Sequence, residues 1–204
     1  MSGERTLCGY IDAVASGAPT PGGGSVVGVV GALSAALGQM VLNFTDAPDD
    51  ERAAQRDGLL RALQHCQSRL LQGADEDEAA YQRFRDASAM PRESAEEKAA
   101  RKAAMQAALI TATDVPLAIA EQAARLAALL IEAAQVGNRH LASDAALGAL
   151  LAETTLRGAL LNVRGNAALL KDAELAQHYR AAADRLETEG RRAAATALEI
   201  ASTI

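Results

Sequence analysis

Asp77 is a candidate catalytic residue, because its residue type and its position on a helix suit proton transfer. It shares one helical face with Leu70 and Phe84, which lie seven residues before and after it. A carboxylate on an apolar stripe is desolvated, and desolvation raises its pKa toward neutrality. A carboxyl group tuned in this way can accept and donate a proton at working pH. The alternative is a structural Asp, either partly exposed at a helix edge or hydrogen-bonded to a neighbouring helix.

The loop Pro19–Ser25 contains three consecutive glycines and is a candidate ligand site. Glycine lets a ligand approach the backbone closely, and the helix that follows offers free amides with a partial positive charge. The loop could therefore hold an anion, although no Gly-Lys-Ser/Thr follows it as in a phosphate-binding P-loop. The alternative is a tight reversal between two packed helices. The loop residues assigned to the candidate site are Pro21, Gly22, Gly23, Gly24 and Ser25.

The predicted fifth helix carries a stripe of small and polar residues in a segment otherwise rich in Leu and Ala. Buried amides on such a stripe must find partners. A polar ligand between helices would supply them, and so would an interhelical hydrogen bond or a subunit contact. The stripe consists of Asp144, Gly148, Leu151, Thr155, Gly158 and Asn162, with Asn166 four residues later and Arg164 nearby.

Neither a metal site nor a nucleophilic triad is predicted. The histidines have no ligand spacing to Cys or carboxylate, so we expect no metal. The serines lack a suitably spaced His–Asp set. Two cysteines make no disulfide framework, and we expect buried free thiols. The residues concerned are His65, His140, His178, Ser25, Ser34, Ser143, Cys8 and Cys66.

Helices must position these residues, because half of the 204 residues are hydrophobic while only 2% are aromatic. A sheet-rich core draws on aromatic and β-branched residues, whereas this chain uses Ala and Leu. We predict one all-α domain over residues 1–204, an up-and-down-type bundle of about six helices with a buried small-residue helix. The net charge of −6 argues against a nucleic-acid-binding face and against a cationic membrane-surface helix.

Periodicity and capping signals place the helices at about 5–15, 26–45, 52–89, 95–136, 144–166 and 173–204. Ser25, Ser94, Ser143 and Asp172 are the expected N-caps, and Pro116 should kink or split the fourth helix. The segment 26–42 is long enough to span a membrane. Its small residues and the lack of a basic flank favour a central helix buried on all sides. No signal peptide is visible, so we expect a cytoplasmic protein.

Together the motifs resemble the cyclodeaminase domain of formiminotransferase-cyclodeaminase and the related stand-alone methenyltetrahydrofolate cyclohydrolases. They occur in the right order over nearly the whole chain. The matching stretches are Pro19-Thr-Pro-Gly-Gly-Gly-Ser25, Met40-Val-Leu-Asn-Phe-Thr45, Asp75-Glu-Asp77-Glu-Ala-Ala-Tyr81, Gln106 through Pro116, Ser143-Asp-Ala, and Arg157-Gly-Ala-Leu-Leu-Asn-Val-Arg-Gly-Asn166.

The resemblance implies an all-helical homodimer that acts on folate one-carbon units, either as a cyclodeaminase (a lyase) or as a cyclohydrolase (a hydrolase). It implies a tetrahydrofolate derivative as substrate and no cofactor. Asp77 would be the acid/base residue. Besides the glycine loop, the implied substrate-binding residues are Asn43, Asp144, Asn162, Arg164 and Asn166. The formiminotransferase domain lies outside the resemblance, so no transfer step is expected.

One segment departs from the family pattern. The family has a lysine-rich stretch after the second helix, where this chain has the acidic segment Asp46-Ala-Pro-Asp-Asp-Glu51. Carboxylates there should repel the negatively charged tail of a folate, by up to about 1 kcal/mol for each exposed like-charge pair. Two alternatives therefore stay open, a non-catalytic paralogue that binds another small ligand and a structural helical dimer.

Overall fold

The structure is a computed structural model that describes residues 5–202, without the side chains of 197, 198 and 200–202. Within this range, each helix from the second to the fifth packs on the next, the second also packs on the fifth, and the fourth packs on the sixth. The prediction of an all-α bundle is confirmed. The helices are α1 (Leu7–Ala15), α2 (Gly23–Asn43), α3 (Asp50–Ser88), α4 (Ala95–Val136), α5 (Ala142–Ala167) and α6 (Ala173–Ser202), with a 3₁₀ turn at Arg139–Leu141.

Two of the predicted helix starts are confirmed by their capping bonds. The Ser94 Oγ accepts from the backbone N–H of Glu97 at 3.1 Å, while the Glu97 carboxylate accepts from the N–H of Ser94 at 3.0 Å. This reciprocal pair is a capping box. The Asp172 carboxylate likewise accepts from the N–H of Leu175 at 3.0 Å. The predicted stretches at residues 1–4 and 203–204 lie outside the described residues.

The predicted caps of α2 and α5 are wrong. Gly22 is the N-cap of α2, and the carbonyl of Gly22 accepts from the N–H of Val26 at 3.0 Å. Gly23 and Gly24 therefore form the first helical turn, and Ser25 lies inside the helix. At α5 the 3₁₀ turn takes over the start of the helix. Asn138 caps that turn by accepting from the N–H of His140 at 3.0 Å.

Pro116 does not split α4, which is one helix of 42 residues with the proline inside it. Proline has no N–H, so it leaves the carbonyl four residues earlier without its helical donor. That carbonyl belongs to Ala112, and the side-chain amide of Asn166 on α5 donates to it at 2.6 Å. The neighbouring helix thus satisfies the group that the proline frees.

The small residues of α2 allow close packing against three helices. A Cβ built on Gly28 would lie 2.7 Å from the Leu70 carbonyl of α3, and one on Gly31 would lie 2.9 Å from Thr155 of α5. The opposite face of α2 is open, because Leu33 is 54% exposed. The prediction of a helix buried on all sides is therefore wrong for a single chain. By length and composition alone, α2 and α4 could each cross a membrane, but half of the apolar window of α2 is buried in the bundle.

The two cysteines differ in environment. Cys66 on α3 is buried, and burial raises the pKa of its thiol. Cys8 is exposed, so the prediction of a buried thiol is wrong for it. The reason is that α1 is short and only Tyr10 of that helix is buried.

Candidate active site

A cavity of about 330 Å³ opens where the start of α2, the middle of α3 and the end of α5 meet α4. It lies where the glycine loop, the apolar stripe of α3 and the last part of the α5 stripe come together. A cavity of this size can hold a flat bicyclic ligand while the rest of a longer molecule extends into solvent. The lining residues are Pro19, Thr20, Gly22, Gly23, Gly24, Asp77, Ala80, Tyr81, Phe84, Leu109, Ala112, Asn162, Asn166 and Leu169.

The Asp77 carboxyl group lies directly against the first turn of α2. A Cβ built on Gly24 would overlap this carboxyl group, so only a glycine fits there without a shift. The backbone N–H of Ser25 donates a hydrogen bond to the carboxylate. The free amides of a helix N-terminus favour negative charge, so the carboxylate occupies an anion site made by the protein itself.

Burial dominates the electrostatics of Asp77 and raises its pKa above the ordinary value of 3.8. The hydrogen bond from the Ser25 amide opposes this shift, and the neighbouring charge of Glu78 adds to it. The net direction is upward, as the apolar stripe predicts. A carboxyl group whose pKa is raised is a stronger base than a solvated one and can exchange a proton with a ligand in the cavity.

The opposite wall of the cavity is polar and comes from the end of α5. The Nδ2 of Asn166 donates to the Ala112 carbonyl, so the Oδ1 of Asn166 remains as an acceptor at the cavity. Asn162 lies one turn earlier and is half-buried. Two aromatic rings, Phe84 and the 42% exposed Tyr81, line the side of α3. The arrangement suits a flat ring with amide-like edges.

Two of the assigned residues lie at the far end of the bundle. Asn43 ends the 21-residue α2 and is exposed, roughly 30 Å along the helix from the glycine loop. Asp144 lies in the first turn of α5, whereas Asn162 and Asn166 lie near its end. Most of the α5 stripe packs on α2, as the approach of Gly158 to Val27 shows. A single chain therefore does not bring Asn43 or Asp144 to the cavity.

Arg164 also faces away from the cavity. Its guanidinium donates to Asp184 at 2.8 Å and to Glu187 at 2.7 Å, both on α6. These two carboxylates raise the pKa of Arg164 and keep its side chain on the outer surface. The assignment of Arg164 to the polar wall is therefore corrected, because α6 supplies its partners.

Two members of the glycine loop lie behind the cavity and do not line it. Pro21 follows a cis peptide bond and is buried. The Ser25 side chain is fully buried, with its Oγ 3.0 Å from the Tyr10 hydroxyl and 3.2 Å from Glu78 Oε1. The sequence pattern missed Tyr10 and Glu78, because the seven-residue spacing on α3 selects only Asp77. Among the described residues, no group of three His, Cys, Asp or Glu side chains could hold a metal ion.

Comparison with known proteins agrees with this geometry. Residues 6–185 match the family model described as formiminotransferase-cyclodeaminase. A methenyltetrahydrofolate cyclohydrolase from Methylorubrum extorquens is 39% identical over 180 residues, which are 87% of this chain and 86% of that protein. A formimidoyltransferase-cyclodeaminase from Gallus gallus is 28% identical over 198 residues, which are 96% of this chain but 37% of that protein.

A solved structure has the same fold over the whole chain. It is a formiminotetrahydrofolate cyclodeaminase from Thermotoga maritima, with a TM-score of 0.89 and 25% identity, covering 100% of this chain and 98% of that one. The family match covers most of the chain, and the cyclohydrolase relative spans nearly its full length. The chain belongs to the formiminotransferase-cyclodeaminase family.

Proposed function

We propose that this protein is a folate one-carbon enzyme that opens the methenyl bridge of 5,10-methenyltetrahydrofolate with water, using Asp77 as the acid/base residue. The relative from Methylorubrum extorquens supports cyclohydrolase chemistry, because it matches this chain over 86% of its own length. The cavity supports a folate, because its aromatic wall suits the pterin ring and its amide wall suits the polar edges of that ring.

A single observation carries the proposal: the half-buried carboxyl group of Asp77 lines the cavity at the start of α2. A solvated carboxylate is a weak base, whereas a desolvated one has a pKa nearer to the working pH. The first turn of α2 also fixes the position of the carboxyl oxygens. A proton acceptor held in place within reach of a bound ring is what water addition needs.

Asp77 and one water molecule are enough for the proton transfers of the cyclohydrolase reaction. Water adds to the methenyl carbon of the cationic substrate, and Asp77 takes the proton that the water loses. The bond between that carbon and N5 then breaks, and Asp77 returns its proton to N5. The hydroxyl proton of the adduct leaves to solvent as the formyl group forms on N10. One carboxyl group that is both base and acid therefore completes the cycle.

A cyclodeaminase reaction is the second candidate, and the neighbour from Thermotoga maritima favours it over the full length of the chain. In that reaction N10 attacks the carbon of the protonated, cationic formimino group carried by N5, and Asp77 takes the proton from N10. The same proton then goes to the departing nitrogen, ammonia leaves, and the methenyl bridge closes. Both candidates require the same carboxyl group in the same place.

An absorbance assay tests both candidates with the same protein. Loss of the methenyl absorbance faster than in buffer supports the cyclohydrolase, and its appearance from 5-formiminotetrahydrofolate supports the cyclodeaminase. Saturable folate binding without either change would favour a binding paralogue. Absence of binding and turnover would favour a structural helical dimer and would reject the proposal.

We further propose that two copies of the chain associate through the open face of α2 and the neighbouring face of α5. No residue of α2 is charged, and Leu33, Leu147, Leu150 and Leu161 are exposed on these two helices. Two adjacent helices about 30 Å long present roughly 600 Å² of footprint, near the about 800 Å² per partner of a typical stable interface. The α2 part of this face carries no charge, which avoids like-charge repulsion there between identical copies, and the exposed Arg157 of α5 pairs with Glu153 of the same helix at 3.6 Å.

Sedimentation of matched variants tests the dimer. Leu33→Glu places a charge at the centre of the open face, so we expect it to be monomeric at concentrations where the wild type is dimeric. Ala103→Glu, on the exposed side of α4, is the control and should remain dimeric. A wild-type protein that is monomeric throughout would reject this interface.

A further inference from the structure

A chain of hydrogen bonds lies directly behind Asp77 and joins three helices. Ser25 Oγ on α2 donates to Glu78 Oε1 on α3 at 3.2 Å. A serine hydroxyl has one hydrogen, so the Tyr10 hydroxyl of α1 donates to Ser25 Oγ, 3.0 Å away. The far oxygen of Glu78 pairs with the Arg5 guanidinium at 3.3 Å. The order of the chain is Tyr10, Ser25, Glu78 and Arg5.

Ser25 connects this series of hydrogen bonds to the candidate active site. Its backbone N–H donates to the Asp77 carboxylate, and its hydroxyl donates to Glu78, the next residue on α3. Two consecutive carboxylates of α3 are thus held by one buried residue of α2. Because Ser25 is fully buried, solvent does not replace either bond when it is lost.

The charges around Asp77 are few among the described residues. On α3, the Glu78 carboxylate lies at the contact with Ser25; Arg5 lies just before α1, and α1 contributes the phenol of Tyr10. The α2 helix contributes no charged side chain. The α4 and α5 residues that line the cavity are uncharged: Leu109, Ala112, Asn162 and Asn166. Glu78 is therefore the like charge that acts on Asp77, and Arg5 is the counter-charge of Glu78.

We propose that Glu78 is a positioning residue for Asp77. Through its hydrogen bond with Ser25, Glu78 holds the first turn of α2 against the Asp77 carboxyl group. The negative charge of Glu78 also favours the protonated form of Asp77. Arg5 limits the second effect by partly neutralising Glu78. The catalytic part of this inference rests on the proposed function, but the proton equilibrium of Asp77 does not.

Glu78→Gln separates charge from geometry, because the glutamine oxygen still accepts from Ser25. A 13C NMR titration, with Asp77→Asn to assign its signal, follows the Asp77 carboxyl directly. We expect its midpoint to move to lower pH in Glu78→Gln and to higher pH in Arg5→Gln. Glu76→Gln is the matched control, because Glu76 bonds Gln72 at the exposed side of α3 and carries the same charge.

Opposite shifts in the two variants, with no shift in Glu76→Gln, support the inference. An unchanged midpoint in Glu78→Gln and Arg5→Gln, or an equal shift in the control, overturns it. Turnover adds a second reading, since the limb of the pH profile of kcat/KM assigned to Asp77 should move with the NMR midpoint. If the wild type turns over no folate, the proposed function fails while the titration still decides this inference.

Ser25→Ala tests the geometric part. It removes the hydroxyl that joins Tyr10 to Glu78 and leaves the backbone amide in place. We expect kcat to fall roughly tenfold or more with little change in KM, because the carboxyl group loses its fixed position. Ser25→Thr keeps a hydroxyl and should recover most of the rate. Equal activity of the Ala variant and the wild type would contradict the positioning role.

Discussion

The two ends of the bundle each contain a cavity, and the larger cavity is less suited to catalysis. About 580 Å³ lies at the end where α2 meets α3, against about 330 Å³ at the Asp77 end. The larger cavity mixes both signs of charge, with Arg56 bonded to Asp57 and to the Thr45 carbonyl. Its other charged lining residues are exposed: Asp46, Asp49, Glu51, Arg52 and Arg139.

The two cavities differ in how far their charged groups are removed from water and in whether a backbone amide holds them in place. The charged side chains of both signs in the larger cavity are largely solvated, and solvated charges interact weakly. The smaller cavity has one half-buried carboxyl group, that of Asp77, which accepts a hydrogen bond from a backbone amide and whose pKa is raised by desolvation. The acidic segment 46–51 lies at the larger cavity, roughly 40 Å along α3 from Asp77. Within one chain it therefore does not repel a folate bound at Asp77, contrary to the expectation from the sequence.

The strongest test of this contrast changes one carboxylate at each end. Asp77→Asn should lower kcat by roughly 10²- to 10⁴-fold, the range that general acid–base catalysis contributes, with little change in folate affinity. Asp46→Asn is the matched substitution in the larger cavity and should leave kcat unchanged. Steady-state kinetics and a folate titration measure both. Equal activity of Asp77→Asn and the wild type would remove Asp77 from the mechanism.

Two adjacent glycines test how closely α2 approaches Asp77. Gly24→Ala should misplace the carboxyl group, lower kcat by up to about 10²-fold, and cost about 1–3 kcal/mol of unfolding free energy. The reason is that the new Cβ overlaps the carboxyl group. Gly23→Ala meets nothing within 4 Å and should be neutral or up to about 1 kcal/mol more stable. Similar losses in both variants, by kinetics and thermal unfolding, would mean that the approach is not the cause.

The polar wall should affect binding more than turnover. Asn162→Ala removes an amide that lines the cavity, so we expect KM to rise by roughly tenfold, the effect of about one lost hydrogen bond. Asn166→Ala should also destabilise the protein, because it leaves the Ala112 carbonyl beside Pro116 without its donor. Kinetics combined with chemical denaturation separates the two. Unchanged KM in both variants would place the ligand elsewhere.

The raised pKa of Asp77 predicts a stability difference that depends on pH. The folded protein binds this proton more tightly than the unfolded chain, so stability falls as pH rises from about 3.8 through the raised pKa of the folded state. Asp77→Asn lacks this loss and should unfold at a higher temperature than the wild type at neutral pH. The difference should vanish in acid. A variant that is less stable than the wild type at pH 7 would show that the carboxylate is not strained by burial.

Arg164→Gln should produce the smallest effect. The side chain is about one-third exposed and pairs with two α6 carboxylates, so we expect a loss of at most about 1 kcal/mol. KM should not change, because Arg164 does not line the cavity. A large rise in KM for a folate would restore the role that the sequence indicates for this residue.

Local sequence patterns predicted the parts of this fold that depend on one helix at a time. The capping box at Ser94 and the stripe that carries Asp77 each follow from residues within one or two turns. The stripe was enough to select Asp77 and to predict the direction of its pKa shift. Residue types also singled out the glycine loop and the stripe on α5, and the family resemblance assigned both to a folate pocket.

Contacts between distant segments explain the errors at Arg164 and Pro116, whereas the wrong caps of α2 and α5 are local errors. Arg164 was assigned to the cavity because no pattern within α5 reveals Asp184 and Glu187 on α6. The sequence predicts a kink or a break at Pro116, and the break does not occur because Asn166, 50 residues away in sequence, supplies the compensating donor. The exposed face of α2 was not predicted, because a helix with apolar residues on all sides gives no sign of which side the rest of the chain leaves uncovered.

A crystal structure of Asp77→Asn with 5,10-methenyltetrahydrofolate tests the central claim most directly. We predict that the pterin occupies the smaller cavity, with the methenyl carbon and an attacking water within about 3.5 Å of the residue-77 side chain. A folate bound in the cavity at the Asp46 end, or one whose methenyl carbon lies far from residue 77, would contradict the assignment of Asp77 as the acid/base residue.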